Sequence, residues 1–158
     1  MSVIFSKRSA PSDLLKNDME NLSYETLIAT LGSVVIHPTG ISMRPFLKEG
    51  RDSVVVCAPS EPLKKYDIVL YRAPDGGYVM HRIIKIDGEK LVICGDNCRG
   101  WEHGHTTGDI IGVVTAVCRG EKQEQVHSVK NKIYERLWCS SYLKRIVMKL
   151  RSVLKKSA

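Results

Sequence analysis

The sequence has no apolar run long enough to cross a membrane. The longest near the start, Leu27 to Ile36, is broken by Thr30, Gly32 and Ser33. It is about half of the roughly twenty residues a spanning helix needs. Met1 to Ala10 carry neither an apolar signal core nor a small-residue cleavage pattern, so no secretory signal is expected. The five cysteines are odd in number and irregular in spacing. They do not read as a disulfide framework, and a reducing compartment is expected. No Gly-rich loop is followed by Lys-Ser/Thr, which removes the usual phosphate cradle. His103-x-His105 lies near Glu102 and Cys98 but fits no closed zinc spacing, and Cys94-x-x-x-Cys98 lacks a second pair. That stretch reads as a solvated loop, and no cofactor or metal is expected. Internal repeats and low-complexity segments are also absent.

What is present is an ordinary globular composition. The 158 residues are 43% hydrophobic and 26% charged, with a formal charge of +7. That length suits one domain with a self-sufficient core. The charge is unevenly placed. Between Lys130 and Lys156 lie nine Lys/Arg and one acid, Glu135, a local +8; the remainder holds 15 Lys/Arg and 16 Asp/Glu. A near-neutral domain with a basic tail argues against nucleic acid as a partner.

Three regions are expected: residues 1–32 as a polar segment and helix, 33–120 as a β domain, and 121–158 as a linker and basic amphipathic helix. Leu15, Met19, Leu22, Leu27, Ile28 and Leu31 recur at helical spacing, with Ser12 as a plausible N-cap and Gly32 as the stop. Six β-type runs follow: Ser33–His37, Ser53–Ala58, Asp67–Arg72, Tyr78–Asp87, Lys90–Gly95 and Ile110–Arg119. Ala73-Pro74-Asp75-Gly76-Gly77 and Ile86-Asp87-Gly88-Glu89 read as hairpin connections. The fold class expected is mainly β, an antiparallel or mixed sheet forming a small barrel, a sandwich or a coiled sheet. In the tail, Ile133, Leu137, Trp138, Leu143, Ile146, Val147, Leu150 and Leu154 can share a broad helical face. That face docks on the sheet, lies on an anionic membrane with Trp138 and Tyr142 near the interface, or, as the least expected case, accompanies nucleic-acid contact.

Four residues are candidates for chemistry. Ser42 stands in Gly40-Ile41-Ser42-Met43-Arg44-Pro45, where Gly and Pro force a turn able to project a hydroxyl and its own N–H into one space. His81 lies in Val79-Met80-His81-Arg82-Ile83-Ile84, with Val79, His81 and Ile83 on one face. Imidazole is the commonest general base near neutral pH; Arg82 and Lys85 are the other nearby cations. Asp96 follows the run Leu91–Cys94 in Gly95-Asp96-Asn97 and can cap that turn or orient His81. Glu102 is the competing acid.

Gly40–Pro45, Tyr66-Asp67-Ile68-Val69-Leu70-Tyr71, Val79–Ile84 and Gly95-Asp96-Asn97 occur in series. This set resembles the ordered motifs of type I signal peptidases, and Gly108–Val114 resembles that family's closing strand. The resemblance covers about Val34 to Arg119 and implies a β-rich peptidase with Ser42 as nucleophile. Most bacterial members have lysine where this chain has His81, so the chain is similar to the Ser-His branch. That branch uses acids at positions matching Asp96 and, about six residues on, Glu102. The residue two before the nucleophile, often a hydroxyl donor in the family, is Gly40, which leaves the Ser42 N–H for the oxyanion. The expected activity is a serine endopeptidase cleaving a leader or signal-type peptide or preprotein through an acyl-enzyme. The substrate would extend beside His37–Ile41. Alternatives are a catalytically silent peptide-binding module and a self-cleaving repressor-like protein, the latter built on a lysine base. Without the family's amino-terminal anchor motif, the expected location is cytoplasmic or peripheral at the cell membrane.

Overall fold

The computed structural model describes residues 3–4, 22–59, 62–139, 144, 146–147 and 149. The elements are β1 (Val3–Ile4), α1 (Tyr24–Leu31), β2 (Ser33–Ile36), β3 (Asp52–Cys57), β4 (Ile68–Arg72), β5 (Tyr78–Asp87), β6 (Lys90–Cys94), β7 (Glu102–Thr106), β8 (Ile110–Arg119), β9 (Lys122–Gln125) and α2 (Val129–Tyr134), which continues as a π-helical turn over Glu135–Cys139. The six expected β runs all form strands, each within one residue at either end. Both glycine-containing connections are hairpins, β4–β5 and β5–β6. Among the described residues no helix is long and apolar enough to cross a membrane.

All strand pairs are antiparallel, in the order β1-β2-β3-β8-β4-β5-β6-β7, with β9 added to β8. The mainly β, antiparallel expectation holds, but the sheet does not close into a barrel. Closure requires the two end strands to pair along their length, and here the ends are the two-residue β1 and the polar β7. The sheet instead buries each face separately. One face packs Ile36, Val54, Ile68, Leu70 and Val117 under α1 and the segment Met43–Leu47. The other packs Val69, Tyr71, Ile83, Leu91 and Ile93 into a smaller core. Strand β4 therefore reads as a continuous buried run, with alternate residues in different cores.

Strands β1, β7 and β9 escape the sequence reading. Glu-His-Gly-His-Thr and Lys-Gln-Glu-Gln carry no alternating apolar signal, and they are strands because β6 and β8 offer free edges. The His103–His105 stretch is thus an edge strand, where a solvated loop was expected.

Helix α1 begins at Tyr24, capped by Ser23, whose Oγ accepts the Thr26 N–H at 3.3 Å. It ends at Gly32 (φ 76°), as expected from the sequence. Ser12, Leu15 and Met19 lie outside the described residues. The helix crosses β8 at Gly112, where a Cβ would fall 2.5 Å from Val56 Cγ1 and 3.1 Å from Ile28 Cδ1. A polar clasp holds its first turn. Glu25 accepts from Arg72 Nε at 2.7 Å and from the Tyr78 hydroxyl at 2.6 Å.

The tail helix packs on the sheet with Asn131, Glu135 and Cys139 buried, while Ile133 and Leu137 face outward. The single apolar face expected for Ile133, Leu137 and Trp138 is therefore split. The π turn widens the helix, and its register places Trp138 inward. Its indole N–H donates to the Asp96 carbonyl at 3.0 Å, so Trp138 is not an interface anchor. Tyr142, Leu143, Leu150 and Leu154 lie outside the described residues. Ile146 is exposed and Val147 half-buried.

Burial raises the Glu25 carboxyl, but the hydrogen bonds from Arg72 and Tyr78 outweigh it and hold the group at about 2, below its ordinary 4.5. A depressed folded-state pKa adds stability above the unfolded value that is lost as pH falls through the folded one. Glu25→Gln should melt below the wild type at pH 7. The gap should narrow as pH falls from about 4.5 toward about 2; a gap independent of pH in thermal melts would contradict the clasp.

Candidate active site

The loop from β2 to β3 carries Ser42. Gly40 takes φ 86°, and its N–H is held by Glu49 Oε2 at 3.0 Å. Met43, Phe46 and Leu47 are buried at one-turn spacing and fasten the loop to the larger core. The Ser42 carbonyl accepts the Asn97 N–H at 2.7 Å, which joins the serine loop to Gly95-Asp96-Asn97. Among the described residues the Ser42 N–H has no acceptor. A cleft of about 350 Å³ opens from Ser42 between Pro38–Gly40 and Tyr78–Met80.

His81 is buried on β5 opposite Val69, with Tyr71 as its diagonal cross-strand neighbour. Its Nδ1 lies 2.7 Å from Glu102 Oε1 and 3.1 Å from the Tyr71 hydroxyl. Tyr71 donates its proton to Glu102 Oε2 at 2.5 Å. It therefore faces His81 only as an acceptor, which assigns a proton to Nδ1, so that in the neutral imidazole the lone pair is on Nε2. Burial and the Glu102 carboxylate push the Tyr71 hydroxyl well above its usual range, so it stays a donor.

Gly95 is the floor on which these parts meet. A Cβ there would lie 2.8 Å from the Ser42 carbonyl oxygen, 2.9 Å from His81 Nε2 and 2.6 Å from Cys98 Sγ. Only glycine allows the serine loop, the histidine and this turn to approach so closely. Among the described residues Ser42 Oγ and His81 Nε2 are not joined by a hydrogen bond. Such bonds are often long in free enzymes and tighten in the complex.

The structure brings Ser42, His81 and Glu102 to one corner and places Asp96 in another network. Asp96 receives Arg82 Nε and Nη2, both at 2.9 Å, and the Tyr134 hydroxyl at 3.0 Å. Arg82 and Asp96 are almost wholly buried. Lys85 is exposed beside Asp87 at the far end of β5. Sequence reasoning missed Tyr71 and the packing role of Gly95. Tyr71 was discoverable, because the β4–β5 hairpin makes it a near neighbour of His81.

All five cysteines are free. Cys98 borders the site, but burial, then the adjacent Cys94, raises its thiol above the ordinary value and favours the protonated form. Among the described residues no group of three or more His, Cys, Asp or Glu side chains could hold a metal ion. Comparison with protein-family models, curated proteins and solved structures found no match for this chain.

The two acids separate experimentally. Glu102→Gln should slow reaction with a serine-directed fluorophosphonate by roughly 10²-fold or more, with the melting temperature within about 3 °C of wild type. Asp96→Asn weakens the partner of a buried guanidinium. It should cost on the order of 3 kcal/mol and lower the melting temperature by about 10 °C. The reverse pattern would exchange their roles. Tyr71→Phe removes a donor to a charged group and should slow labelling about tenfold; an unchanged rate would reduce Tyr71 to packing.

Proposed function

We propose that the chain is a serine endopeptidase of the signal-peptidase type, cleaving a leader or signal-type peptide through an acyl-enzyme. The observation that carries the reading is the polarised His81, tied at Nδ1 by Glu102 and Tyr71, with Nε2 beside the Ser42 loop over Gly95. The sequence resemblance supports it, since the four motifs meet at this corner.

An extended peptide lies in the cleft between Pro38–Gly40 and Tyr78–Met80. Strand β6 pairs with β5 only from Arg82 onward, so the earlier part of β5 offers an edge to a peptide strand. His81 Nε2 accepts the Ser42 proton as Oγ attacks the scissile carbonyl, and Glu102 stabilises the imidazolium. The Ser42 N–H faces the developing oxyanion. The imidazolium then protonates the leaving amine, which departs with the C-terminal fragment. Water, deprotonated by His81, attacks the acyl carbonyl; the N-terminal fragment leaves as a carboxylic acid and Ser42 regains its proton.

Cys98 is a rival nucleophile, because its Sγ lies beside the same Gly95 position as His81 Nε2. Fluorophosphonate labelling of purified protein separates the readings. Labelling should vanish in Ser42→Ala and persist in Cys98→Ala. Labelling that survives Ser42→Ala would sink the serine assignment, and a wild type inert to the probe and to peptide substrates would favour a silent binding module.

A further inference from the structure

We propose that the outward face of residues 129–139 is a docking surface for an anionic lipid bilayer. It deepens the proposed function by naming the surface against which the Ser42 cleft is held, and it is testable without the serine chemistry.

The helix has two faces with different tasks. Asn131, Tyr134, Glu135, Trp138 and Cys139 turn inward. Tyr134 and Trp138 hydrogen-bond to Asp96, and farther along Lys144 Nζ donates to the Gly95 carbonyl at 2.8 Å. The helix is thus bolted to the turn beneath Ser42 and His81. The outward face repeats Val129, Ile133 and Leu137 at four-residue spacing, exposed by 77%, 57% and 56%. Single exposed apolar residues are ordinary, but three in register on one helical face are not. Lys130, Lys132 and Arg136 are exposed between them. The only acid of this stretch, Glu135, is buried on the inward face beside Arg82 Nη1 at 3.5 Å. No Asp or Glu follows it in the sequence, while six more Lys/Arg do.

Charge complementarity selects the occupant. A polyanion such as RNA would neutralise the cations but leave Val129, Ile133 and Leu137 in water. An anionic bilayer takes both: the cations sit at the headgroups and the three apolar side chains enter the acyl boundary. Because the inward face is already occupied by Asp96 and its neighbours, docking requires no release of the helix from the site.

The test is co-sedimentation of the full chain with vesicles of phosphatidylcholine and phosphatidylserine at about 3:1, against phosphatidylcholine alone. Binding should need phosphatidylserine and weaken as salt rises. Ile133→Glu/Leu137→Glu, at exposed positions, should lower binding at least about 30-fold, and Lys130→Gln/Lys132→Gln/Arg136→Gln by a similar factor. Melting temperatures check that both variants fold. Ser42→Ala should bind vesicles like the wild type, so loss of labelling and loss of lipid binding report separately. Equal binding to both vesicle types, or wild-type binding by the Ile133→Glu/Leu137→Glu variant, would overturn the proposal. So would failure on vesicles alongside retention of a single-stranded RNA, which would assign the cations to nucleic acid.

Discussion

The structure turns on a buried guanidinium. Arg82 is wholly enclosed, and a lone charge there would be prohibitive. Everything around it answers that demand. Asp96 grips it through two hydrogen bonds, the Tyr66 carbonyl accepts from Nη1 at 3.0 Å, and Phe46 and Tyr134 offer their ring faces. These partners come from the turn before β4, the serine loop, the turn after β6 and the tail helix. One charge therefore joins four segments far apart in sequence. Such a pair is weak evidence for net stability, but losing one partner is costly, which makes the arrangement specific.

The proposed chemistry sits on the other side of the same strand. His81 and Arg82 are consecutive, so the pleat sends them to opposite faces. Arg82 immobilises the Asp96 turn from one face, and Gly95 in that turn meets His81 Nε2 and the Ser42 carbonyl on the other. The rigid anchor and the proposed general base are thus neighbouring residues joined through a single turn. The tail helix adds a third layer, since Tyr134, Trp138 and Lys144 hold that turn from outside. A surface engaged by the helix is in this way mechanically continuous with the site.

Much of this was legible beforehand. The six apolar strands announced themselves because each buries alternate or consecutive apolar residues, and the glycine turns marked where the hairpins reverse. The motifs singled out Ser42 and His81, and the structure brings the Ser42 loop and His81 together over Gly95. The choice between Asp96 and Glu102 was not, because it depends on which face of β5 each acid meets. Glu102 reaches His81 only because polar β7 adds to the edge of β6, a pairing with no apolar signature. The open sheet was equally hidden, since closure depends on what the end strands can pair with.

What the sequence determined by itself was local: strand periodicity, turn chemistry, the stop at Gly32, the segregation of positive charge into the tail, and the residue types able to do acyl transfer. Those follow from backbone preferences and from patterns a few residues long. Tertiary structure decided the rest: that Asp96 serves Arg82 and Glu102 serves His81, that Tyr71 completes the polar set, and that Trp138 turns inward while Ile133 and Leu137 stay outside. Each depends on contacts between distant segments in a close-packed interior, where one buried charge must find its partners before any other group can be assigned.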